Sequence, residues 1–396
     1  MPLQGLRVLD IASVLASPFA AALLGDYGAE VIKVELPGTG DTLRYLAPFD
    51  RGVSLWFNSV GRNKRSITLD MRKPQGKEIL KRLVAVSDVV CENFRPGTLE
   101  GWGLGYDVLS EVNPGLVMLR VSGYGQTGPA APKAGFGMTA GAFAGLTYIT
   151  GHPDGAPESP PFSLSDYVAG IFGALGVMTA LYYRDGRRRE RGQVVDVALY
   201  EAVFRMLEYM PGEYAKLGIV RERRGNRLGM AVPVGIYRTG DGKWVAMTCS
   251  TDRVFVRLAE AMGRPELAQD PRFDSNPHRI QNQDECDAIV TEWIGARSAQ
   301  EVYRILDEAG VPVGPVNSMA DIMVDPQFKA REDIVTVQHP IIGEVPVPNV
   351  VPKFSRTPGR VRSAAPLLGE HNEEVYCGLL GMSTAELAAL KQAGVI

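Results

Sequence analysis

The stretch with the clearest capacity for chemistry runs from Phe162 to Val197, FSLSDYVAGIFGALGVMTALYYRDGRRRERGQVVDV, where Asp166 sits between Ser163 and Ser165 ahead of a long apolar run. Polar residues so placed mark a helix start. A carboxylate held where free backbone N–H groups and the positive helix end converge stays ionised, and in a semi-buried pocket it can act as a nucleophile. Asp is also a common N-cap, so local sequence alone reads first as a helix cap without chemistry, and Asp166 needs support from elsewhere in the chain. Gly170, Gly173 and Gly176 follow three apart. Each weakens a helix by roughly 1 kcal/mol relative to Ala, which calls for a closely packed neighbour or a bulky ligand against them.

The elements that must position Asp166 alternate between strand and helix. Arg7–Asp10 reads as a strand, SPFAAALLGDYG as a helix closed by Gly28, and EVIKVE as a second strand, a βαβ opening. Its first turn, DIASVLASP, carries no GxGxxG, so a nicotinamide cofactor is not expected. In GRNKRSITLDMRKPQG the cations Arg62, Lys64, Arg65 and Arg72 cluster around one chain reversal. A helix over Pro74–Val86, the strand DVVCEN and the strand of LVMLRVSGYGQTGP continue the alternation, which argues an α/β fold with a mostly parallel sheet covered on both faces. Ligands of such sheets collect beyond the strand carboxyl ends, where NFRPG and GYGQTGP lie. Gly123, Gly125 and Gly128 either bring bare N–H groups to a ligand or form an ordinary surface loop. The five arginines of RDGRRRERG either grip a phosphate or form a solvated turn.

After the strand QVVDVAL a helix is expected over Tyr200–Leu217, and the pattern changes at RERRGNRLGM. A hairpin, GIYRTGDGKWVAMTC, turns at Asp241-Gly242, and three helical patterns follow through Ala309, which reads as a second, smaller domain. Strand-like alternation returns in TVQHPIIGEVPVPNV, followed by PLLGEH and a terminal helix pair.

Composition narrows the function classes. At 396 residues the chain invites two domains, and 45% hydrophobic with 22% charged residues is ordinary for a soluble globular protein. A formal net charge of -3 gives no global attraction to nucleic acid or to an anionic membrane. Cys91, Cys249, Cys286 and Cys377 are far apart and form no CxxC or Cys/His pairing, so neither a zinc site nor a disulfide framework is expected, and a reducing cytosol fits. The opening MPLQGLRVLD has no export pattern, and Val168–Tyr183 falls short of the roughly 20 residues of a membrane span and reads as a core helix.

VLDIASVLASPFAAALLGDYGAEVIKVE, NKRSITLDMRKPQGKEIL, DVVCENFRPGTLEGWGLGY, SGYGQTGP, SLSDYVAG with RGQVVDVALYEAV, and PLLGEHNEEV, taken in that order, resemble the family III CoA-transferases. This CaiB/BaiF group includes formyl-CoA transferase, carnitine CoA-transferase and alpha-methylacyl-CoA racemase. The resemblance spans essentially the whole chain. It implies a large Rossmann-like domain built from residues 1–218 and 330–396, a smaller α+β domain inserted over residues 225–329, and an interlocked homodimer.

The family's nucleophilic aspartate falls on Asp166. The implied reaction moves CoA from an acyl-CoA donor, with succinyl-CoA one candidate, to a carboxylic acid acceptor through an aspartyl anhydride and an aspartyl-CoA thioester, without metal. The carried-over CoA contacts are Val14 and Ala16 in the first loop, Leu69 and Arg72 of LDMR, Asn93, Phe94 and Arg95 of ENFRPG, and Lys133. Phe94 suits the adenine or simple core packing, and Lys133 a ligand or plain solvent. Leu15 stands where formyl-CoA transferases often have Gln, Leu36 replaces a cation, and GNRLGM lacks their run of glycines, which speaks against formyl-CoA and oxalate. Phe136 in AGFG replaces the racemase base of AGHD, and a phenyl ring carries no proton. The alternatives are an acyl-CoA racemase using another base and a non-catalytic CoA-binding subunit.

Overall fold

The computed structural model describes residues 1–186 and 191–396, so Arg187–Arg189 of the arginine-rich turn lie outside the described residues. The chain divides into two compact units. The larger comprises Met1–Leu146, Ser159–Ile219 and Gln327–Ile396, and the smaller Thr147–Glu158 and Val220–Pro326. The sequence reading counts 147–158 with the larger unit. Local bonding explains the difference: Tyr148 donates to Glu222 at 2.6 Å, its ring lies under Arg223, and Gly225 N–H donates to the Gly151 carbonyl.

The larger unit is built on six parallel strands, β1 (Arg7–Asp10), β2 (Glu30–Glu35), β3 (Lys64–Thr68), β4 (Val89–Glu92), β5 (Val117–Ser122) and β6 (Val194–Ala198). Their order is β3-β2-β1-β4-β5-β6. Alternation along each strand divides the core. Val8, Val31, Val89, Val117 and Leu119 face α1 (Ala16–Asp26), while Leu9, Ile32, Ile67 and Val90 face α2 (Pro74–Ala85) and the C-terminal Val375, Tyr376 and Ile396. Apolar side chains on both faces are what a parallel sheet covered on both sides demands. The strand order reverses at β1, which pairs β2 on one edge and β4 on the other, and that opens a crevice between the loops after β1 and β4.

Two further helices bear on the site: α3 (Gly137–Phe143) and α4 (Leu164–Leu181). The helical run of α4 continues to Gly186, 23 residues in all, and so exceeds the Val168–Tyr183 core helix read from sequence. It is long and apolar enough to cross a membrane by length and composition, yet its glycines are committed to packing. A Cβ on Gly170 would lie 2.8 Å from the Ala16 carbonyl oxygen, one on Gly173 3.0 Å from Leu119, and one on Gly176 2.6 Å from Val195. The close neighbours that offset the glycine cost are α1, β5 and β6. The helix expected over Tyr200–Leu217 is two, α5 (Leu199–Met206) and α6 (Met210–Leu217). Pro211 lacks the N–H that a continuous helix needs, and Glu208 takes a φ of 34° at the break.

The smaller unit is an antiparallel sheet of β7 (Val234–Arg238), β8 (Trp244–Thr248) and β9 (Val313–Pro315) backed by helices around Phe255, Leu258, Val290 and Leu306. The β7–β8 turn falls at Asp241-Gly242, with Gly242 at φ 79°.

Candidate active site

Asp166 is the third residue of α4. The N-cap is Ser163, whose side chain makes no capping bond, so Asp166 is not the cap that local sequence suggests. The carboxylate is half-buried and pairs with no cation among the described residues; its pKa is pushed up to about 6 by burial, with only its own backbone N–H acting the other way. Desolvation therefore outweighs the helix end that was expected to hold it ionised. Near neutral pH the group is still mostly ionised, and a desolvated ion without a cation partner is a reactive one. It lies against the start of α3. A Cβ on Gly137 would fall 2.1 Å from Asp166 Oδ2, so the space of that missing side chain is filled by the carboxylate.

One turn further along α4, Gly170 presses on the Ala16 carbonyl, and Tyr167 packs edge-on against Phe19 with ring centroids 4.9 Å apart. The start of α1, which follows the loop after β1, thereby packs on the N-terminal part of α4. That loop is tightly held. Asp10 accepts from Ala12 N–H, Asn93 accepts from Ser13 N–H at 2.8 Å and donates to the Ser13 carbonyl at 2.6 Å, and Asp41 accepts from Val14 N–H at 3.0 Å. Val14 has a φ of 64°, an uncommon conformation for a β-branched residue.

A buried charge cluster supports the loop from beneath. Lys33 Nζ lies 2.8 Å from Asp41 and 3.8 Å from Asp10 and donates to the Ala12 carbonyl, while Lys64 Nζ lies 2.9 Å from Asp10. Burial opposes the Lys33 charge, but Asp10 and Asp41 outweigh it and raise its pKa. Beside it Glu35 accepts from Arg44 Nε and Nη2, Ser66 Oγ and Asp41 N–H.

Above this cluster, at the carboxyl ends of β1, β2 and β3, lies a cleft of about 220 Å³. Among the residues that line it are Ala12, Ser13, Leu36, Leu69, Arg72 and Phe94. Phe94 stacks edge-on with Trp102 at 5.2 Å, partly packed against the core and partly lining the cleft.

The residues singled out in the sequence are thus brought together unevenly. Leu69, Arg72 and Phe94 line the cleft, and Val14 and Asn93 belong to its rim loops. The Ala16 side chain is buried, and Arg95 and Lys133 are exposed on loops outside the cleft lining. The basic cluster at the chain reversal is neutralised residue by residue: Arg62 on Asp26, Lys64 on Asp10, Arg65 on Glu30 and Arg72 on Asp70. In the glycine loop, Gly123 meets Gly135 backbone to backbone and Gln126 N–H donates to Asp196, so packing takes up part of it.

The profile described as CoA-transferase family III matches residues 3–372. The chain belongs to that family. The transferase is 46% identical, over 100% of its length and 98% of the relative's, to the succinyl-CoA-D-citramalate CoA-transferase of Chloroflexus aurantiacus. It is likewise 46% identical, over 100% and 98%, to the protein named succinyl-CoA-L-malate CoA-transferase beta subunit of the same organism. Among solved structures, a CaiB/BaiF family protein from Brucella suis has a TM-score of 0.85 and 34% identity, over 96% of this chain and 99% of that one. The parallel α/β architecture is therefore that of the family.

Sequence reasoning missed Gly137, Lys33, Asp41 and Trp102. Lys33 carried a signal, a cation in the middle of the apolar strand EVIKVE, which in a sheet buried on both faces must find buried partners. Gly137 carried none, because its importance lies in a side chain 29 positions away in the transferase sequence, Asp166.

Proposed function

We propose that this transferase moves CoA from succinyl-CoA to a carboxylic acid acceptor, with Asp166 as the nucleophile. The observation that carries the reading is a half-buried carboxylate without a cation partner among the described residues, seated in the space that Gly137 leaves open. Succinyl-CoA as donor is supported by the names of the relatives at 46% identity.

The carboxylate attacks the thioester carbonyl, the C–S bond breaks, and a succinyl-aspartyl anhydride and CoA thiolate result. The thiolate adds to the aspartyl carbonyl and expels succinate. The acceptor carboxylate then displaces the thiolate as a new anhydride, and the thiolate takes the acceptor acyl group and frees Asp166. Hydrolysis of the anhydride must be avoided by excluding water at this step. Val14, Ala16, Leu69, Arg72 and Phe94 border CoA, with Phe94 and Trp102 against an aromatic or pantetheine surface, Arg72 held in place by Asp70, and the exposed cations Arg95 and Lys133 available to phosphate.

A homodimer completes the reading. The outer face of α4 leaves Ile171 and Leu175 more than half exposed, and with Phe19, Tyr167, Met178 and Phe354 they line an apolar groove of about 820 Å³.

The test is to incubate the protein with succinyl-CoA, add hydroxylamine, and locate a hydroxamate by mass. It is expected on Asp166; an unmodified Asp166 during active turnover would overturn the proposal. Asp166→Asn is expected to lower kcat by about a thousandfold or more, because the covalent step itself is removed. Wild-type kcat/KM should fall on the acid side through about 6, where the carboxyl of the free enzyme gains its proton. Burial raises this pKa, so its charge destabilises the fold as pH rises above the unfolded value of 3.8, and the penalty disappears in acid. At pH 8 the Asn variant should therefore melt at or above the wild-type temperature.

A further inference from the structure

Asn93 stands where the strand order reverses, at the end of β4, facing the loop that follows β1. Both ends of its amide engage one residue of that loop: Oδ1 takes Ser13 N–H and Nδ2 gives to the Ser13 carbonyl. The neighbouring residue, Val14, holds a φ of 64° with its N–H on Asp41. A β-branched side chain disfavours that backbone, so the loop keeps its shape only while its polar clamps hold. Asp41 is fixed by the buried Lys33, and the clamp on the other side of Val14 is Asn93.

We propose that Asn93 is a positioning residue rather than a CoA contact: its amide latches the first loop across the crevice and keeps Val14 in the left-handed shape that borders the CoA chain. The proposal rests on the reading of that loop as part of the CoA site. It differs from a direct contact in one respect. A latch acts through Val14, so its loss should matter less once residue 14 adopts the left-handed conformation without strain, as glycine does.

The test is a double-mutant cycle of Asn93→Ala and Val14→Gly in the full chain, read as CoA affinity by calorimetry and as KM for succinyl-CoA. With Val14 in place, Asn93→Ala should weaken CoA binding about tenfold and raise KM similarly, consistent with the loss of two hydrogen bonds. In the Val14→Gly background the loss should shrink to about threefold or less. Equal losses in both backgrounds, or no loss in either, would overturn the latch. Should Asn93→Ala fail to fold, Asn93→Asp serves in the same cycle: it keeps an acceptor for Ser13 N–H and loses the donor to the Ser13 carbonyl. The chemical reading fails separately, if Asp166→Asn leaves transfer intact, and CoA affinity in the cycle remains readable in that event.

Discussion

Asp166 and Gly137 define each other. The acid needs a flank without a side chain, and a Cβ at 137 would stand 2.1 Å from Oδ2, well inside van der Waals contact. The carboxylate is the movable partner, so Gly137→Ala turns it away from its seat and leaves the cleft beyond β1 and β2 untouched. A shift of about 1 Å at a reacting group costs on the order of a hundredfold in rate. Steady-state kinetics of Gly137→Ala should show kcat down by about that factor with KM for succinyl-CoA nearly unchanged, and full kcat would show that the contact has no bearing on the chemistry.

At the level of elements, α4 is placed by its glycines. Gly170 approaches backbone, the Ala16 carbonyl at 2.8 Å from a built Cβ, whereas Gly173 approaches the flexible end of Leu119 at 3.0 Å. Alanine gains about 1 kcal/mol of helix propensity at either position. Crowding in a packed interior costs about 1–3 kcal/mol. Urea unfolding should therefore rank Gly170→Ala as clearly destabilised and Gly173→Ala as near neutral, because α1 must move for the first and only a side chain for the second. Equal stabilities would place the α1–α4 contact elsewhere. The same contact sets the start of α1 against the helix that bears Asp166.

For the whole molecule, one topological fact organises the rest: the strand order turns at β1, and the loops after β1 and β4 part there to leave the crevice that Asn93 spans. The outward face of α4 is the other large-scale feature. An apolar groove of about 820 Å³ on a water-exposed surface carries a large hydration cost unless it is covered. Sedimentation should find the wild type as a dimer and Leu175→Asp as a folded monomer; a monomeric wild type at micromolar concentration would remove the homodimer from the proposal.

Much was legible in the chain itself. The near-continuous apolar runs of β1, β4 and β5, the Pro-started α2 and the Asp-Gly hairpin follow from local rules, because strand composition and turn geometry depend on residues close in sequence. The long motifs likewise marked the family, and Asp166 with it. Tertiary structure alone decided what Asp166 experiences. A pKa is set by desolvation and by charges near in space, and the burial that raises this one comes from the folded surroundings, Gly137 of α3 among them. The same reason explains why Arg62, Lys64, Arg65 and Arg72, a basic patch when written in a line, are each cancelled in the fold by an acid, three of the four from another strand, loop or helix.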